Sequence, residues 1–211
     1  MRRVFVNPDA PHRDAVQEAA TRIRGGGVVA LPTDTLYGLA VDPFRRDAVA
    51  RVFEVKGRPA DRALPLMAFD VAQVTASIGP LHAIAVRLAD KFWPGPLTLL
   101  VAAPRGLGAD VTGGTGRIGV RVPAHAVARA VCRAVGSPIT ATSANVSGEP
   151  PTSDPDDVER TLGARIDLLL DGGPTRGGLP STIVDVTTAE PRLVRAGAIP
   201  WDEIQECADR G

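Results

Sequence analysis

Lysine is almost missing from this chain: of 24 basic residues only Lys56 and Lys91 are lysines, and the rest are arginine. A GC-rich genome accounts for the bias, but it makes a lysine in a polar stretch more informative. Cysteine is equally scarce. Cys132 and Cys207 stand far apart with no CxxC pair, which excludes a disulfide scaffold and a zinc signature and suits a reducing compartment. Neither charge sign is in excess, with 24 acidic residues against 24 basic, so nothing marks a general nucleic-acid binder. No apolar run approaches the roughly 20 residues of a membrane span. The start, Met1 to Pro8, lacks the apolar stretch of a signal peptide, so the expected location is the cytoplasm, with no membrane partner. What is present is ordinary for a globular protein: 44% hydrophobic and 23% charged residues in a chain of 211. That length fits one domain over residues 1–211, large enough to bury about 70% of its unfolded surface without staples.

Apolar runs and helical periodicities alternate along the chain. Val4–Val6 reads as a strand and is followed by a helix with Val16, Ala19, Ala20 and Ile23 on one face, Asp9 being placed to cap it. Val28–Leu31 is a continuous apolar run, the mark of a strand buried on both faces. Helices are expected near 47–55, 71–78, 82–92, 124–135 and 154–162, with a last one from about Pro200. Strands are expected near 64–68, 97–101, 118–122, 139–141 and 168–170, and 182–186 with 192–194 read as a late pair. The segments 32–39, 106–116, 143–153 and 171–180 read as polar or glycine-rich loops. The class is therefore α/β, with late strands that could pair antiparallel. Its ligand loops should gather at strand ends.

Several motifs fail their context. Gly114 to Gly119 spells G-x-G-x-x-G, but a loop precedes it and a strand follows, the reverse of a dinucleotide fold. There is no Walker A loop, nucleophile elbow or H-E-x-x-H. Four other segments each admit two readings. Pro32-Thr33-Asp34-Thr35 with Tyr37-Gly38 is either a capped turn or a ligand loop after a buried strand. Lys56-Gly57-Arg58, with Arg62 behind it, is either a helix C-terminus complementing its dipole or a cationic clamp for phosphate or carboxylate. Thr140 to Gly148, containing Ser143 and Asn145, is either a turn network or a set of uncharged phosphate donors. Asp171-Gly172-Gly173, Ser181 to Asp185 and Arg195-Ala196-Gly197 would pass singly for caps.

Together these segments resemble the YrdC-like family, the L-threonylcarbamoyladenylate synthases. The resemblance runs from about Gly26 to Gly197 and rests on ordered motifs: P-T-D-T-x-Y-G, K-x-R, P-G-P-x-T, G-x-R-x-P, S-x-N, S-T-x-x-D and R-x-G. It implies a twisted open mixed sheet with helices on its faces and a large concave cationic cavity. It implies condensation of L-threonine, bicarbonate and ATP to threonylcarbamoyl-AMP and pyrophosphate, for threonylcarbamoyladenosine in tRNA. By the same resemblance Lys56 and Arg58 are the catalytic pair, and Lys56, Arg58, Arg62, Arg117, Ser143, Asn145 and Arg195 face ATP and its phosphates. Thr35, Tyr37, Met67, Arg121, Ala141 and Ser181 surround threonine. Mg²⁺ comes with ATP, held mainly by its phosphates and by no dedicated protein ligands. A downstream threonylcarbamoyl transferase complex is the implied partner.

This chemistry calls for cations facing two anions and for walls that exclude water, and it needs no nucleophilic side chain. Met67 stands where some members carry His, and Arg117 where many carry a small hydroxyl residue. The length fits the short, single-domain type, with Gly106–Gly116 and Gly172–Gly178 as lid candidates. Weak tRNA or RNA binding is a further partner expectation of the enzyme reading. Two alternatives differ in class. One is a non-catalytic paralogue binding RNA or nucleotide in the same cavity. The other is a carbamoyl-AMP-forming enzyme of hydrogenase maturation, disfavoured by the absence of zinc fingers.

Overall fold

The computed structural model describes residues 1–57 and 62–209. In chain order the strands are β1 (Arg2–Phe5), β2 (Val29–Leu31), β3 (Gly38–Ala40), β4 (Leu66–Met67), β5 (Leu97–Ala102), β6 (Arg117–Arg121), β7 (Ile139–Thr140), β8 (Thr142–Ser143), β9 (Leu168–Asp171), β10 (Thr182–Asp185) and β11 (Arg192–Arg195). The helices are α1 (Arg13–Arg24), α2 (Arg46–Lys56), α3 (Val71–Ile78), α4 (Ala83–Phe92), α5 (Ala109–Thr112), α6 (Ala126–Val135), α7 (Pro155–Leu162) and α8 (Trp201–Asp209). The α/β class and the open mixed pairing match expectation, but the strands divide between two sheets. One runs β1-β9-β2-β3-β8 and the other β11-β10-β5-β6-β4-β7. Periodicity marks a strand without naming its partner, so the division was not readable from the sequence.

Buried apolar runs explain the centre of each sheet. Val29–Leu31 and Leu168–Asp171 are buried throughout and pair in parallel. In the second sheet β5 lies between β10, parallel to it, and β6, antiparallel to it. The late strands β10 and β11 pair antiparallel, as expected, and β11 is exposed along its length. Helix α1 buries Val16, Ala19, Ala20 and Ile23, the face its periodicity indicated. Its cap differs from expectation: His12 sits at the N-cap, and Asp9 instead donates its backbone N–H to Asn7 Oδ1, as does Ala10. Asp154 does cap α7, accepting from Asp156 N.

The chain passes from one sheet to the other within residues 139–143. Thr140 pairs with Leu66 in the second sheet, and Thr142 pairs with Leu39 in the first. Ala141 lies between them, its N–H donating to Pro65 O at 2.7 Å. Thr140 N donates to Val41 O, and Thr140 Oγ1 accepts from Val41 N at 3.0 Å, tying the sheets together. No helix among the described residues is long and apolar enough to cross a membrane.

Candidate active site

A cavity of about 410 Å³ opens where the sheets adjoin. The first sheet contributes Thr33, Thr35 and Tyr37 from the β2–β3 connection, and Ser143 from β8. The second contributes Met67 at the end of β4, Arg121 at the end of β6, Thr98 on β5, Ser181 just before β10 and Arg195 at the end of β11. Ala141 lines it at the crossing between sheets. All six residues assigned to threonine are thus brought together: Thr35, Tyr37, Met67, Arg121, Ala141 and Ser181.

The turn before β3 is locked by its own hydroxyls. Thr33 Oγ1 donates to Leu36 O at 2.7 Å and accepts from Thr35 N at 3.2 Å. Tyr37 is fully buried, and its hydroxyl donates to Gly173 O at 2.7 Å and accepts from Gly172 N at 3.2 Å. Burial pushes its phenol well above the ordinary tyrosine value, so it stays protonated. Thr175 Oγ1 also donates to Thr35 O at 2.9 Å. The 172–175 part of one lid candidate is therefore fastened to the cavity wall.

Across the cavity, Arg121 donates from Nη2 to Asp34 Oδ1, with side chains only 12% and 13% exposed. Burial lowers the Arg121 pKa against the opposing pull of Asp34. Arg195 Nη2 donates to Ser181 O at 2.7 Å and to Ser181 Oγ at 3.2 Å, and Thr98 Oγ1 lies 2.9 Å from Ser181 Oγ. Burial, then the positive charge of Arg121, lowers the Arg195 pKa. Asp34 and Thr98 belong to the site but were not singled out by sequence reasoning. Both stand inside quoted motifs, P-T-D-T and P-G-P-x-T, where an acid and a hydroxyl also suit a turn and a strand start.

The residues assigned to ATP separate. Ser143 and Arg195 line the cavity. Lys56, 2% exposed at the end of α2, lies beneath the 143–145 loop. Its Nζ donates to Ser143 O at 2.5 Å, Asn145 O at 2.8 Å and Asn145 Oδ1 at 3.1 Å. Asn145 Oδ1 also accepts from Ser143 Oγ, and Asn145 Nδ2 donates to Val146 O and Glu149 O. Lys56 and Asn145 thus shape the loop that presents Ser143. Arg62 is exposed beside Ala63, which lines the cavity, and Arg58 lies outside the described residues.

Arg117 lies apart from the cavity. It begins β6, four residues from Arg121, roughly 13 Å along an extended strand. It does not line the cavity and pairs with Asp185 at 2.7 Å. Strand geometry places it at the opposite end of the sheet from the cavity rim. Among the described residues no group of three or more His, Cys, Asp or Glu side chains could hold a metal ion.

The threonylcarbamoyl-AMP synthase of Pyrococcus abyssi is 39% identical over 191 residues, covering 90% of this chain and 56% of its own length. The chain therefore spans little more than half of that relative. The putative threonylcarbamoyl-AMP synthase of Mycobacterium leprae is 36% identical over 208 residues, 98% of this chain and 94% of its own. A crystal structure of P. abyssi Sua5 complexed with L-threonine matches with a TM-score of 0.93 at 36% identity, covering 98% of this chain and 61% of that one. The Sua5/YciO/YrdC family model, described as "Telomere recombination", matches residues 21–197. Matched over that span, and alike in fold across nearly its whole length, the chain belongs to the Sua5/YciO/YrdC family.

Proposed function

We propose that this chain is a threonylcarbamoyl-AMP synthase acting as one domain in the cytoplasm, condensing L-threonine, bicarbonate and ATP. The observation that carries the reading is the convergence of Arg121, Thr35 and Ser181 on one cavity whose rim includes the Lys56-supported Ser143 loop. The names of the relatives and the threonine bound in the P. abyssi structure support it.

The chemistry follows from the residue types. Arg121 takes the substrate carboxylate, and Thr35 and Ser181 hydrogen-bond its polar groups. A site built to pair the threonine hydroxyl would reject analogues lacking it. The threonine amine attacks the carbon of carbon dioxide and loses a proton, or attacks that of bicarbonate and expels water, giving in either case an anionic N-carboxy group. One oxygen of that group attacks the α-phosphorus of ATP, and pyrophosphate leaves. Mg²⁺ enters with ATP, as part of the substrate. Ser143 and Arg195, with Arg62 and Arg58, would face the nucleotide phosphates. Stabilising developing charge in a site shielded from water is the main catalytic device. The product would pass to a transferase that modifies tRNA.

Pyrophosphate release should require ATP, threonine and bicarbonate together. Release that ignores threonine, or folded protein that binds ATP without releasing pyrophosphate, would overturn the reading.

A further inference from the structure

Asp34 lies in the short connection between β2 and β3, on the first sheet, and Arg121 ends β6 on the second. Their ion pair joins the two sheets beside the cavity, which Arg121 lines. It is lopsided. Asp34 Oδ1 accepts from Arg121 Nη2, while Asp34 Oδ2 is buried with no hydrogen-bond partner, alone in this among the side-chain atoms of the described residues. A carboxylate and a guanidinium ordinarily meet through two parallel bonds. Here the acid takes one of five donors, and the guanidinium finds no other protein acceptor among the described residues. A buried carboxylate oxygen left unpaired is unfavourable in itself, so the arrangement calls for an explanation.

Both ends are held firmly. The Asp34 turn is locked by Thr33 and Thr35, with Leu31 and Gly38 in register at its base. Arg121 is fixed by pairing of β6 with β4 and by Ala68 N donating to Arg121 O at 2.9 Å. Rotation about the bonds of the Arg121 side chain is the freedom that remains, and Asp34 restricts it.

We propose that Asp34 is a positioning residue for Arg121, a single-point tether that fixes the guanidinium plane and leaves its other donors for the α-carboxylate of the amino-acid substrate. The inference rests on the functional reading above. It makes Asp34 specific to the amino-acid end of the cavity and silent toward the nucleotide end, a distinction that a general structural ion pair would not produce.

The test is steady-state kinetics of pyrophosphate release by wild type, Asp34→Asn, Arg121→Gln and the double variant, with melting curves alongside. Asp34→Asn should raise the KM for threonine at least tenfold and leave the KM for ATP within twofold. In the Arg121→Gln background the same change should add nothing, because the tether then has no cargo. If Asp34→Asn does not fold, Asp34→Glu, which keeps the charge on a longer arm, should show the same selective rise. An equal rise in both KM values, additive losses in the double variant, or unchanged kinetics in Asp34→Asn would overturn the inference alone. A wild-type chain that releases no pyrophosphate with threonine would overturn the functional reading and this inference together.

Discussion

The Lys56 ammonium sits under the Ser143–Asn145 loop and donates to three oxygens of it. Replacing it takes a charged donor from the part-buried carbonyls of Ser143 and Asn145, so Lys56→Met should lower stability by about 2 kcal/mol. Urea unfolding would measure it, and a loss of activity in that variant would partly report a displaced loop. Tyr37→Phe removes one buried hydroxyl that accepts from Gly172 and donates to Gly173. It should cost about 1 kcal/mol and speed amide exchange at Gly172 and Gly173, read by hydrogen-exchange mass spectrometry. Much of the site was legible at this scale. Thr35, Ser181 and Arg121 stand in motifs whose residue types already suit an anionic, hydroxylated substrate. Asp34 was hidden because an acid between two threonines is also what a turn uses. Arg117 stands away from the cavity, and sequence spacing does not say which end of a strand faces it.

Among the elements, long periodic or continuously apolar segments were readable, as α1, β5 and β9 show. The short ones were not. Gly38–Ala40 and Thr142–Ser143 are strands because they pair with each other across the first sheet, and nothing local in those residues announces it. Ala109–Thr112 hides in a glycine-rich stretch whose Gly113, Gly114 and Gly116 have positive φ. Two glycines of the quoted motifs serve packing. A Cβ at Gly197 would overlap Pro180 O and the backbone of Ser181 and Thr182, so Gly197→Ala must displace the segment carrying Ser181. Overpacking of this kind costs about 1–3 kcal/mol, and the upper end is expected here, with a fall in melting temperature as the readout. At Gly119 a Cβ would meet Thr98 Cγ2 at 3.0 Å and Pro65 Cβ at 3.4 Å. Gly119→Ala should cost less, because the Thr98 side chain can yield.

For the whole molecule, acid sensitivity follows from the carboxylates held ionised in the fold. At Asp185 burial pushes the pKa up, but hydrogen bonds from Thr187 and the charge of Arg117 outweigh it, so the net shift is downward. A folded-state pKa below the unfolded value stabilises above the unfolded pKa and is lost as pH falls through the folded one. Stability should therefore decline below about pH 4, and Arg117→Ala should move that decline to higher pH, followed by circular dichroism. The two sheets bring residues far apart in the chain onto one cavity, and the central claim is that this cavity joins bicarbonate carbon to threonine and then to AMP. Mass spectrometry of a quenched reaction containing ¹³C-bicarbonate, ATP and threonine tests this most directly. The expected product is threonylcarbamoyl-AMP carrying the label. Unlabelled product, or AMP joined to threonine without the added carbon, would contradict it.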